Sequence, residues 1–506
     1  MTAPSSDRPA PLRSICIVGG GTAGWIAAAM LAHLHPRLAV ELVESDDIGT
    51  IGVGESTIPP FLQLIAKLGI TESEFVRECQ ASFKLGIEFR DWLEIGRSYF
   101  HPFGAIGMPI DGDFYQLWLR AANGGYPRGL QEFAPASAMA RRGRFTLPRF
   151  APQSPIGGAS YALHVDAKRV ARFLRGFAEA RGVKRIEGIV TEVATRPDGF
   201  VSHVMLKDGR EVSADFFIDC SGFRALLTGK ALGVDYVDWS HWLLCDRAIA
   251  VQTENVGPPP PYTLAHAQPA GWRWRIPLQH RTGNGIVFSD AFMGEQEAGD
   301  ALAATLGESM LAEPRVLRFT TGRRRRSWAG NTVAIGLAAG FLEPLESTSI
   351  HLVQAAIAKL LALFPQGRID PVLRNRFNRE MDQLTEGIRD FILAHYVLTE
   401  REDTSFWRHC RAMELPDSLV ERLHLFRARG EVLVANYELF REVNWFSVLN
   451  GQGVTPEDRH PVADALPADE LARRMAAIRE GVARRVAGLP AHAEFLRRSG
   501  GAARAL

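Results

Sequence analysis

Arg13-Ser14-Ile15-Cys16-Ile17-Val18-Gly19-Gly20-Gly21-Thr22-Ala23-Gly24 reads as a short apolar strand that runs straight into a glycine turn. Trp25 to His33 then reads as a helix, and Leu38 to Val43 as a second strand that ends in Glu44. Strand, turn, helix and strand, with G-x-G-x-x-G at Gly19, Gly21 and Gly24, make the frame of a dinucleotide-binding unit. Glycines let the backbone approach a pyrophosphate, which sits at a helix N-terminus where the first N–H groups lack internal partners. Glu44 stands 20 positions after Gly24 and can accept hydrogen bonds from a ribose. The expected cofactor-binding residues are therefore Gly19, Gly21, Thr22, Ala23, Gly24 and Glu44.

Outward from this unit, Ile186 to Ala194, Val201 to Leu206 and Glu211 to Ile218 read as strands. Asp198-Gly199 and Asp208-Gly209 supply hairpin turns between them. Asn331 to Gly336 is a further strand, and its loop feeds a helix from His351 to Phe364, stopped by Pro365. Ser347 and Thr348 are suitable caps for that helix. Beyond about residue 370 the pattern is mostly helical, with Leu471, Met475, Ile478, Val482 and Val486 at the spacing of one docked face.

Composition narrows the function classes. The chain has 506 residues, 46% hydrophobic and 23% charged, with a net charge of +1, so no global field favours nucleic acid or an anionic membrane. Arg323 to Arg326 is the only dense basic block, read as a solvated surface or an anion-facing edge. Five scattered cysteines without C-x-x-C spacing argue against a disulfide framework or a metal site and fit a reducing cytoplasm. No run approaches the roughly 18 apolar residues of a membrane span. Residues 1–12 read as a flexible leader with no signal-peptide core.

Gly271-Trp272-Arg273-Trp274-Arg275-Ile276-Pro277 places two large aromatics on one side of an extended segment. The sequence also contains Gly52-Val-Gly-Glu55-Ser-Thr-Ile-Pro59, Phe83-Lys84, and Glu343-Pro-Leu-Glu346-Ser-Thr348-Ser349-Ile350. Taken in order with the glycine loop, these motifs resemble the flavin-dependent tryptophan halogenases from the first strand to about residue 465.

The resemblance implies an α/β fold: an FAD-binding flavoprotein monooxygenase core of the two-dinucleotide-binding (GR2-like) type over residues 13–370, and a mostly helical substrate subdomain over 371–506. It implies FAD, used as FADH2 supplied by a separate flavin reductase, with O2 and a halide ion as co-reactants. A flavin hydroperoxide would oxidise chloride or bromide to hypohalous acid. Trp272, Trp274, Ile276 and Pro277 would form a partition between flavin and substrate, and Gly336 would lie in the loop near the flavin ring. Lys84 would hold hypohalous acid or form a haloamine, and Glu346 would stabilise or deprotonate the cationic ring intermediate. Thr348 and Ser349 match the halide site; His101, Phe103 and Trp445 match the walls of the aromatic pocket. A homodimer follows family habit. Without the resemblance, Lys84 reads as a surface partner of Glu88 four residues on.

One departure bears on substrate. The free-tryptophan enzymes of the family carry adjacent tyrosines in a C-terminal lid, whereas Tyr437 is the only tyrosine here after Tyr396. Indole, a substituted indole or a larger indole-bearing molecule is then as good a substrate as tryptophan. Two alternatives stay open at this stage: an FAD-dependent aromatic hydroxylase and a non-catalytic flavin-binding protein. Lys84→Ala separates the first from halogenation, because a hydroxylase does not need this amine. Hydroxylation that survives the substitution, without halide, contradicts halogenase chemistry.

Overall fold

Ser14–Val18 lies in the middle of a six-stranded sheet, between Phe216–Asp219 on one side and Ala39–Glu44 on the other, all parallel. The computed structural model describes residues 11–48, 55–108, 113–126, 129–148, 154–307 and 309–499. Most of the leader and the Gly52-Val53-Gly54 part of the second motif lie outside the described residues. Lys184–Glu187 and Thr332–Ala334 extend the parallel sheet, and Trp328–Ala329 closes one edge antiparallel. Its first strand is buried from Ile15 to Val18, as a doubly covered parallel strand must be.

The first helix starts earlier than its apolar run suggests. It spans Thr22–Leu34, so Thr22, Ala23 and Gly24 form its first turn. The expected strand 186–194 is two strands, Lys184–Glu187 and Val190–Thr195. The chain leaves the parallel sheet at Gly188, whose N–H donates to Glu44 O. Likewise 211–218 divides into Glu211–Ser213, in an antiparallel meander, and Phe216–Asp219, in the parallel sheet. Both expected turns form, and Asp198 and Asp208 each accept a backbone N–H two residues on.

A second, seven-stranded sheet holds Gly271–Pro277 at its centre, between Thr263–Gln268 and Thr282–Phe288. Arg323 and Arg324 are half-buried: Arg323 pairs with Asp382 and Glu386 on the helix Pro371–Val397, and Arg324 donates to Val234 O. Half of the arginine run is thus a structural tie, and Arg325 and Arg326 are its exposed half.

Lys84 ends a short strand, Ser82–Lys84, which pairs with Ala162–Val165. The last described helix, His492–Arg498, buttresses that strand. His492 Nδ1–H donates to Pro259 O at 2.7 Å, so Nε2 is free to accept the Phe83 N–H at 3.3 Å. Phe495 adds an edge-on ring contact to Phe83 at 5.5 Å. His492→Ala leaves the Phe83 N–H buried without a partner, a loss of about 1–3 kcal/mol. A lower thermal midpoint is expected, read by near-UV circular dichroism; an unchanged midpoint contradicts the anchoring role.

Candidate active site

A cavity of ≈ 560 Å³ runs along the glycine loop and past the central strand of the second sheet. Gly19, Gly21, Thr22, Ala23, Glu44 and Gly336 line it, as do Trp272, Trp274 and Ile276. Gly24 does not; a side chain there would strike Gly19 O at 1.9 Å, so this glycine serves close packing of turn and helix. A Cβ on Gly21 would meet nothing within 4 Å and would project into open space at the helix N-terminus. That open cradle fits the pyrophosphate of FAD. Glu44 is already engaged: Arg185 Nε donates to Oε1 at 2.6 Å and Trp25 Nε1 to Oε2 at 3.3 Å. A carboxylate offers about four acceptor positions, so a ribose can still be received there.

Trp272 and Trp274 are both buried on one face of their strand, with ring centroids 6.1 Å apart. Gly285, opposite Trp274 on the next strand, makes room for it; a Cβ there would sit 2.2 Å from the Trp274 ring. Trp272 Nε1 donates to Glu343 Oε2 at 2.7 Å, and Tyr396 Oη donates to the same oxygen at 2.7 Å. Burial raises the Glu343 carboxyl to a pKa of about 7 against these two donors. The strand's end is also tied, because Ser82 Oγ donates to Pro277 O.

Lys84 and Glu346 are not among the described residues that line the cavity; Ser347, which joins them, is. The Lys84 amine is fully buried and donates to Ser347 Oγ at 2.9 Å and Thr57 O at 3.2 Å, with the Phe103 ring 5.0 Å away. Burial lowers its pKa to about 7, against a smaller opposing effect of Glu346. The surface pairing with Glu88 is overturned: Glu88 pairs with Arg90 and Lys84 is interior. Glu346 is equally buried. Its oxygens lie 2.9 and 3.0 Å from His101 Nδ1, and Oε1 lies 3.0 Å from His395 Nε2. Burial alone would raise its pKa, but the neighbouring imidazoles, His101 first and then His395, outweigh burial and hold it below the usual carboxylate range.

The turn after Glu346 departs from the expected capping. Ser347 takes a left-handed φ of 61°, costly for a residue with a side chain, and its hydroxyl serves Lys84 rather than a helix end. Thr348 precedes the helix in a helical conformation without a side-chain cap, and its buried hydroxyl has no partner. The helix itself spans Ser349–Ala362, two residues earlier than its apolar pattern indicates. Ser349 thus supplies a first-turn N–H beside the cavity, of the kind that receives an anion.

His101 and Phe103 sit with Lys84 and Glu346, their rings 6.4 Å apart. Trp445 stands further back, edge-on to Phe391 at 4.8 Å, with Arg422 over its ring at 4.4 Å. Sequence reasoning missed Glu343, His395 and Asn444. Glu343 opens the motif that holds Glu346, and its place there was the one local signal. His395 and Asn444 reach the site from distant helices and carry no local pattern.

The family model described as tryptophan halogenase matches residues 14–468. A flavin-dependent halogenase from Xanthomonas campestris superposes with a TM-score of 0.93 at 47% identity, over 97% of this chain and 98% of its own. The flavin-dependent halogenase BrvH from Brevundimonas sp. BAL3 gives a TM-score of 0.93 at 43% identity, over 96% and 99% of the two chains. Tryptophan 7-halogenase RebH from Lentzea aerocolonigenes is 35% identical, over 96% of this chain and 98% of its own.

The Lys84 environment has a stability signature. Its pKa falls from 10.5 to about 7 on folding, so between those values the unfolded chain binds more protons and stability rises with pH. Burying the amine therefore costs most at and below neutral pH. Lys84→Met is expected to raise the thermal midpoint at neutral pH, with a gain that shrinks as pH approaches the ordinary lysine range. A midpoint that falls equally at every pH contradicts a buried amine of depressed pKa.

Proposed function

The chain belongs to the tryptophan halogenase family and is a flavin-dependent halogenase, and from that premise we propose that it halogenates an indole or indole derivative that lacks a free amino-acid end. The observation that carries the site assignment is the Lys84 amine. It is buried, lies off the flavin cavity, and touches Ser347, which lines it. Reduced FAD with O2 supplies the oxidising power that turns a halide ion into hypohalous acid. A separate flavin reductase supplies that reduced cofactor. The backbone N–H groups at Thr348 and Ser349 hold the halide near the flavin, and Trp272 and Trp274 keep the organic substrate from the cofactor.

Lys84 then receives hypohalous acid. At a pKa of about 7 both ammonium and amine are populated at neutral pH, so hydrogen bonding and haloamine formation are both open to it. Glu346, held as a carboxylate, stabilises the cationic ring and takes the proton that the halogen replaces. His101, Phe103 and Trp445 shape the aromatic pocket. Among the described residues no helix is long and apolar enough to cross a membrane. A cytoplasmic homodimer completes the reading.

The substrate class rests on the segment before the helix Glu442–Gly451. Its apolar side chains face the pocket: Leu439 packs with Ile58 and Phe103, and Phe440 stacks on Phe391 at 3.7 Å. Its charges are spent elsewhere. Glu438 accepts both Arg422 nitrogens at 2.8 and 2.9 Å, and Arg441 turns to Ala435 O and Glu442. A zwitterion bound along this segment would have to compete with these pairs for its partners, which weakens recognition of a free amino-acid end. With a reductase, O2 and bromide or chloride, mass spectrometry is expected to show halogenated indoles formed at least ~100-fold faster than halotryptophan, given about 1.36 kcal/mol per factor of ten. Equal turnover of free tryptophan overturns the substrate class; hydroxylated product without halogen overturns the reaction.

A further inference from the structure

Resting on that reading of Glu346, the hydrogen-bond directions around its carboxylate fix where protons sit. Asn444 Oδ1 accepts the Arg441 N–H at 2.7 Å, so its amide nitrogen must point the other way, to His101 Nε2 at 2.9 Å. An amide nitrogen only donates, so Nε2 carries the lone pair and Nδ1 carries the hydrogen. His101 Nδ1–H then donates to Glu346 as a neutral imidazole.

His395 differs. Its Nδ1 lies 2.9 Å from Phe391 O, and a carbonyl only accepts, so Nδ1 carries a hydrogen. A neutral ring would then leave an unprotonated, electron-rich Nε2 3.0 Å from Glu346 Oε1. Two electron-rich atoms at that separation in a dry site repel whatever their alignment, and a proton on the ring turns that repulsion into attraction. The contact has ion-pair distance but not hydrogen-bond alignment, which suits a charge–charge contact better than a carboxylic acid donating to nitrogen. Phe89, with its ring centroid 4.7 Å from that of His395, and Trp92 at 6.0 Å offer aromatic surroundings compatible with a cation.

We propose that His395 is a positioning residue that carries the proton balancing Glu346, and that Asn444 is a second positioning residue that locks His101 in its neutral Nδ1–H form. The titratable groups that face the Glu346 carboxylate are Lys84 from the strand Ser82–Lys84, Tyr99 and His101 from the strand Ser98–Pro102, and His395 from the helix Pro371–Val397. With His395 as its counter-charge, Glu346 remains anionic without help from Lys84. The lysine is then free to exist as the neutral amine beside a charged base.

The test is nuclear magnetic resonance of imidazole nitrogens in the full chain labelled at histidine, without flavin or halide. His101→Gln and His395→Gln assign the signals. At neutral pH, His395 is expected to show both nitrogens protonated and His101 a single neutral tautomer with hydrogen on Nδ1. Glu346→Gln removes the charge and should return His395 to a neutral ring. Asn444→Asp, nearly isosteric but an acceptor, should move the His101 hydrogen to Nε2 or protonate both nitrogens. It should also lower kcat more than it raises KM for the aromatic substrate. A neutral His395 in the wild-type chain overturns its role, and an unmoved His101 tautomer in Asn444→Asp overturns the role of Asn444. If the proton positions hold but no aromatic substrate is halogenated, the functional reading fails and the proton assignment stands.

Discussion

The strand Gly271–Pro277 lines the cavity with two buried indole rings, and much of the site depends on how it is held. Backbone ladders fix it at the centre of a seven-stranded sheet. Those ladders set the height and register of Trp272 and Trp274 but leave their rings free to turn. Burial against Gly285 removes that freedom for Trp274, and the hydrogen bond to Glu343 removes it for Trp272. Ser82 then ties the end of that strand to the short strand that carries Lys84.

The interior around the central strand is unusually rich in titratable groups, and each is set by a different balance. Lys84 is dominated by loss of solvent, so its ammonium is destabilised toward the neutral amine. Glu343 meets two neutral donors that do not outweigh its burial, so its carboxyl titrates near neutrality. Glu346 is buried to the same degree, yet two imidazoles reverse the sign and hold it ionised. Two glutamates three residues apart in one loop thus acquire opposite character, one titrating near neutrality and one held ionised. Such interior polarity lowers stability, and the strained φ of Ser347 adds to it.

What was legible in the sequence was local. The glycine turn, the hairpin aspartates and the paired tryptophans each state their geometry within a few residues, because backbone conformation and side-chain alternation act at that range. The stretches 186–194 and 211–218 each read as one strand but divide where the chain changes sheets, a choice made by partners far along the chain. Lys84 could be singled out by its motif, but its burial could not, because strands and loops from several segments close over it. Asn444 and His101 are 343 positions apart, and His492 and Phe83 are 409 apart. Their single hydrogen bonds leave no periodic trace. The helices begin at Thr22 and Ser349, earlier than their apolar patterns at Trp25 and His351, for a related reason. The periodicity marks where a helix is packed, whereas these two helices begin earlier, where their N–H groups face a cavity.

The central claim is a separation: oxidant made on one side of Trp272 and Trp274, and ring substitution on the other. Anomalous diffraction from crystals containing FAD, bromide and an indole tests it most directly. The account predicts flavin in the glycine-loop cavity, a bromine peak at the Thr348–Ser349 turn, and the indole beside Lys84 and Glu346, with both tryptophans between the two rings. An indole stacked directly on the flavin, with Lys84 contacting neither, would contradict it.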